Sequence, residues 1–101
     1  MLQPLDGPSS QGVISVDTIT VKEAKIGGSA LIERKVITMQ GDGKFYVYFG
    51  DGVSTPSAAT VTSDGFVQFK NATQSWEAGE LQKVYLIADS GTVNVRISER
   101  A

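Results

Sequence analysis

Two stretches of this chain alternate hydrophobic and polar residues with a period of two, and they set its class. Val93, Val95 and Ile97 alternate with Thr92, Asn94, Arg96 and Ser98, as in a strand with one buried and one solvated face. Phe45, Val47 and Phe49 alternate in the same way with Lys44, Tyr46 and Tyr48. Between them lies Val84-Tyr85-Leu86-Ile87-Ala88, a continuous apolar run bounded by Asp89-Ser90-Gly91. The pattern predicts that Val84–Ala88 and Thr92–Ser98 pair as a hairpin, with Gly91 supplying a left-handed turn position. Phe45, Val47, Phe49, Val93, Val95 and Ile97 are the expected core.

The remaining segments are less regular. Val13 to Val21 predicts a first strand in which Ile14 and Val16 share one parity and Ile19 and Val21 the other. A bulge near Asp17-Thr18 would account for that slip. Lys22 to Ser29, with Gly27-Gly28, reads as a loop, and Val21 to Lys25 could form one helical turn. Ala30 to Met39 predicts a second strand of mixed parity, and Gln40 to Gly43 a turn into Lys44–Gly50. Val53 to Ser63 is rich in Ser, Thr and Ala and offers at most a short edge strand at Thr60-Val61-Thr62. Phe66 to Phe69 reads as a strand after the Asp64-Gly65 turn, and Asn71 to Ser75 as a loop. Many short strands separated by turns predict an all-β, antiparallel β-sandwich of jelly-roll type over residues 12–101, with a small barrel as the alternative. Met1 to Gln11 carries two prolines, two serines and a glycine. It is expected to be a flexible N-terminal arm whose Leu2 and Leu5 could anchor on a partner.

Composition narrows the chemistry. The chain has 101 residues, no cysteine and no histidine. That removes disulfides, thiolate metal sites and the side chain that most often moves protons near neutral pH. A net charge of −2 predicts no nucleic-acid partner. The longest apolar runs fall far short of the roughly 20 residues of a membrane span, and the N-terminus lacks the basic and apolar regions of a secretory signal. No membrane partner is expected, and synthesis in a cytoplasm is.

Candidate sites are few. Asp42, Asp51, Asp64 and Asp89 each lie beside or one residue from a glycine. Such carboxylates could hold calcium, but their spacing matches no loop motif and Asp beside Gly is ordinary turn chemistry. Glu77 and Glu80 could be imagined as a glycosidase pair, yet they flank a predicted exposed turn. Ser and Thr are plentiful but have no His to activate them. No catalytic residue, metal or cofactor is expected. The aromatic residues are the candidate interface: Tyr46 and Tyr48 form an outward stripe if Phe45 and Phe49 face inward, and Trp76 sits in a predicted loop. They could be covered within the monomer, contact a partner, or stack on sugar rings.

Several segments, taken in order, resemble small structural proteins of tailed bacteriophages. They are Arg34-Lys35-Val36-Ile37, Phe45-Tyr46-Val47-Tyr48-Phe49-Gly50, Gly52-Val53-Ser54-Thr55, Gly79-Glu80, Val84–Ala88 and Ser90–Glu99. The resemblance spans roughly residues 30 to 99. Ala78 stands where the pattern has a proline, and Ala58 to Gln74 is an insertion. The resemblance implies a non-enzymatic virion component. That would be a capsid decoration protein forming homodimers or trimers and binding the major capsid protein from outside, or else a neck or tail accessory. From the residues alone, a carbohydrate-binding module is the competing reading.

Overall fold

The computed structural model describes residues 9–101. Its elements are β1 (Ser9–Val16), β2 (Lys22–Glu23), β3 (Val36–Gly41), β4 (Phe45–Phe49), α1 (Ala58–Asp64), β5 (Phe66–Gln68), β6 (Thr73–Glu77), β7 (Val84–Ala88) and β8 (Val93–Arg100). Two antiparallel four-stranded sheets face each other: sheet I in the order β1-β8-β3-β6 and sheet II in the order β2-β7-β4-β5. The first strand pairs with the eighth, the second with the seventh, the third with the sixth and the fourth with the fifth. This is one long antiparallel ribbon wrapped on itself and zipped by the β3–β8 and β4–β7 contacts, the jelly-roll solution to burying both sheets. The sandwich is the expected class, and the barrel alternative drops out.

The core between the sheets holds Val16, Ile37, Met39, Phe45, Val47, Leu86, Val93, Val95 and Ile97. Phe49, expected in the core, is only half-buried. It lies at the end of β4, where the sandwich opens, and packs edge-on against Trp76 and Phe66.

Several local expectations are corrected by this topology. β7 and β8 form no hairpin: they lie in different sheets, and Asp89–Thr92 carries the chain across the sandwich. A hairpin and a sheet-crossing turn use the same local residues, here with Gly91 at φ +58°. The parity slip in the first strand is a change of sheet and not a bulge. β1 ends at Val16, and the Asp17 carboxylate accepts from Ile19 N at 2.9 Å and Thr20 N at 2.7 Å. The chain then joins sheet II as β2, in the segment where the sequence allows a helical turn. β1 also starts earlier than expected: Ser9, Ser10 and Gln11 pair with Arg100, Glu99 and Ser98, so three residues expected in the arm belong to the sandwich. Only Val36 onward is strand in the Ala30–Met39 segment, and Thr73–Glu77, which includes most of a predicted loop, is β6.

Thr60-Val61-Thr62 is helical, not a strand. Ser57 caps α1 by accepting from Thr60 N at 3.2 Å, Ala58 and Ala59 open it, and Val61 points inward. The helix lies across the outer face of sheet II, where Val61, Tyr85 and Ile87 form a second small core flanked by Tyr46 and Tyr48. Gly65 permits this docking. A Cβ there would sit 2.4 Å from the Val61 carbonyl oxygen and 2.8 Å from that of Val47.

Candidate functional site

The most elaborate polar construction in the molecule lies where β8 and β6 end and β3 and β7 begin. In β8 the inward positions are Val93, Val95, Ile97 and then Glu99, so the alternation itself carries a carboxylate into the interior. Burying that charge alone would be costly, and the structure supplies Arg34 from the loop before β3. Arg34 Nη1 donates to Glu99 Oε2 at 2.9 Å, with both side chains about 1% exposed. The guanidinium spends its remaining donors on main-chain carbonyls: Ala78 at 3.0 Å, Gly79 at 3.0 Å, Gln82 at 2.7 Å and Ala24 at 3.4 Å. Glu99 also accepts from Leu31 N at 3.1 Å and Ile26 N at 3.4 Å. One ion pair therefore ties three separate segments to the end of β8. This fan of donors is the use for which arginine, not lysine, is shaped.

Further bonds extend the clasp. Glu33, held at φ +59°, donates its N–H to Glu80 Oε1 at 2.8 Å. Gly50 N donates to the Lys83 carbonyl and Gln82 Nε2 to the Gly50 carbonyl, each at 2.9 Å. These loops end in aliphatic side chains that face solvent: Ile32 is 71% exposed, Val53 88% and Leu81 89%. Loops this closely bonded can hold apolar side chains toward a partner at little ordering cost. Sequence reasoning does not pair Arg34 with Glu99. The signal available to it is the phase of Glu99, which continues the buried parity of Val93, Val95 and Ile97.

The aromatic candidates fare differently. Tyr46 and Tyr48 are not an open stripe: they are half-buried beside α1, and the Tyr46 hydroxyl donates to Asp89 Oδ1 at 2.8 Å. That bond pushes the Tyr46 hydroxyl pKa above its ordinary value. Trp76 lies on β6, not in a loop. Its ring centroid is 5.3 Å from that of Phe49 and 5.6 Å from that of Phe66, and its Nε1 is buried with no acceptor. The structure does not bring the tyrosines and Trp76 together: the former sit under α1, the latter at the open side between β5 and β6. Leu2 and Leu5 lie outside the described residues.

The four aspartates do not converge. Asp42 accepts from Asn94 N at 2.9 Å, Asp51 from Val53 N at 2.8 Å, Asp64 from Ser63 Oγ at 3.2 Å, and Asp89 from Tyr46. Among the described residues no three His, Cys, Asp or Glu side chains are grouped to hold a metal ion. No helix among them is long and apolar enough to cross a membrane.

No family model matches the chain, and no curated protein matches it. Among solved structures it is similar to a chain from the structure described as "Bacillus endospore appendages form a novel family of disulfide-linked pili". Identity is 12% and the TM-score 0.43, over 97% of this chain and 91% of that one. A likeness at so low a TM-score carries no functional argument.

Proposed function

We propose that this protein is a non-enzymatic structural component of a bacteriophage virion, in its most specific form a decoration protein attached to the outside of the capsid. The observation that carries the reading is the clasped loop end, where Ile32 and Leu81 project from loops bonded to Arg34 and Glu99, and Val53 from the loop that Gly50 ties to Lys83 and Gln82. Exposed aliphatic groups on rigid loops suit docking onto a preformed protein surface. The bacteriophage assignment rests on the sequence resemblance. The sugar-binding alternative loses its platform, since the two tyrosines lie against α1 and Trp76 packs with Phe49 and Phe66.

The test is co-sedimentation with undecorated shells of the parent phage, comparing wild type with an Ile32→Asp/Leu81→Asp variant. Both sites are exposed, so folding should survive. Binding by wild type and its loss in the variant is the expected result. Failure of the wild type to bind any shell would end the decoration reading in favour of a neck or tail position. Equal binding by both proteins would move attachment to another surface.

A further inference from the structure

The sandwich has four free strand edges among the described residues, and they are not equally protected. β2 has two residues and β5 three, too short to template a partner strand. β6 has five and carries Glu77. β1 has eight, Ser9-Ser10-Gln11-Gly12-Val13-Ile14-Ser15-Val16, with no charged residue, no proline and unbroken one-to-one pairing to β8 on its other side. Edges of that length usually carry lysine, proline or a bulge, because unpaired N–H and C=O groups recruit other strands. Val13 adds a second observation: at 62% exposed it is a large apolar side chain on an outer face of sheet I whose only other aliphatic among the described strand residues is the half-buried Val36.

We infer that β1 is a self-association edge, pairing antiparallel with β1 of a second copy across a two-fold axis through Val13. An uncharged strand can meet itself without like-charge repulsion, whereas a partner chosen by charge would find nothing here to read. The two-fold pairing sets Val13 against its symmetry mate and Gln11 against Ser15 on the outer face. It sets Gly12 against Ile14 and Ser10 against Val16 on the inner face. Gly12 gives the incoming Ile14 room, and Ile26, which would lie 3.2 Å from a Cβ at Gly12, supplies an apolar surface for it. The nearest charge is Arg96, which faces Val13 across the β1–β8 ladder but lies one strand back from the edge; on the inner side Lys25 Nζ is 3.5 Å from Glu23. Two copies of sheet I then form one continuous eight-stranded sheet, and the interface is isologous, so it closes at the dimer. The inference deepens the structural-component reading by naming a surface for self-association, distinct from the clasped loop end.

Sedimentation equilibrium on the full chain tests it. Wild type should be dimeric at micromolar concentration. Val13→Lys should weaken association by at least about tenfold, as edge lysines do, with an unchanged melting temperature when both proteins are diluted to monomer, because the site is exposed. The chain has no cysteine, so single introduced thiols report cleanly. Val13→Cys should form a disulfide dimer on mild oxidation, and Ser75→Cys on the other edge of sheet I should not. A monomeric wild type, a Val13→Lys variant that stays dimeric, or crosslinking through Ser75 in place of Val13 would overturn the inference. These readouts need no shell, so their failure is separable from failure of capsid binding.

Discussion

The two sheets have opposite outer faces. Sheet I presents Thr38, Gln40, Thr73, Ser75, Asn94, Arg96 and Ser98 on its outer face, and among the described residues no element is laid over them. Sheet II presents Tyr46, Tyr48, Tyr85 and Ile87, and the chain lays α1 across them. The difference is visible strand by strand. β8 alternates buried and exposed positions, while every residue of β7 is buried. A strand apolar on both parities requires a cover on each side, and a strictly alternating one requires only one. The helix is thus a consequence of β7's composition, although its own residues, Ala-Ala-Thr-Val-Thr-Ser-Asp, advertise it weakly.

Substitutions can break this comparison at graded cost. The largest effect belongs to the clasp that anchors β8 of sheet I to the loops around it. Glu99→Ala leaves the Arg34 guanidinium buried without its counter-ion and should cost about 3–5 kcal/mol in urea unfolding. The double variant Arg34→Met/Glu99→Leu should cost clearly less, because no charge is stranded; equal losses would mean that the ion pair's hydrogen bonds, not its charges, matter. Phe45→Ala, at a fully buried site, falls in the same range of about 3–5 kcal/mol. Phe49→Ala should cost roughly half of that, since its ring is half-buried where the sandwich opens. Equal losses at Phe45 and Phe49 would show that the open side is closed in solution.

The two outer faces are compared directly by Val61→Ala and Thr38→Ala. Removing the Val61 methyl groups from the second core should cost about 1–2 kcal/mol and reduce the near-ultraviolet circular dichroism of the tyrosines beneath α1. Thr38→Ala loses only an exposed hydrogen bond to Ser75, 2.8 Å long, and should stay within about 0.5 kcal/mol. A comparable loss at Thr38 would mean that sheet I is covered by a partner copy.

The smallest effect is acidic. Asp17 has its carboxyl held below the ordinary 3.8 by hydrogen bonds from Thr20 N and Ile19 N, and Asp51 by those from Val53 N and Ser54 N. Both folded-state values lie below the unfolded ones. Their contribution is therefore complete above pH about 4 and disappears as pH falls through the folded values. Asp51 is exposed and Asp17 half-buried at the surface, so the change should be a slight fall in melting temperature below about pH 4. Asp17→Asn should flatten it, and an unchanged slope would assign the acid sensitivity elsewhere.

Much of the core is legible in the sequence because period-two alternation is a local property. Phe45 and Val47 in β4, and Val93, Val95 and Ile97 in β8, are buried as their spacing requires. Asp51 is equally readable as a turn aspartate, since it bonds backbone N–H groups only two and three residues on. The clasp is half-written: Glu99 stands in buried phase, but Arg34 lies 65 positions away, and the sequence does not say which cation a buried carboxylate will meet.

Alternation determined that β4 and β8 would be strands and which side of each would be buried, because side-chain direction in a strand follows from the backbone of that strand alone. Tertiary structure decided which sheet each strand joined. The Asp17–Thr20 and Asp89–Thr92 turns hold the same residue types whether they fold a strand back on its neighbour or send it across the core. Tertiary structure also decided that Val61 would be helical: seven residues of modest propensity gain their shape from Ser57 at one end, Gly65 at the other and the tyrosine face beneath.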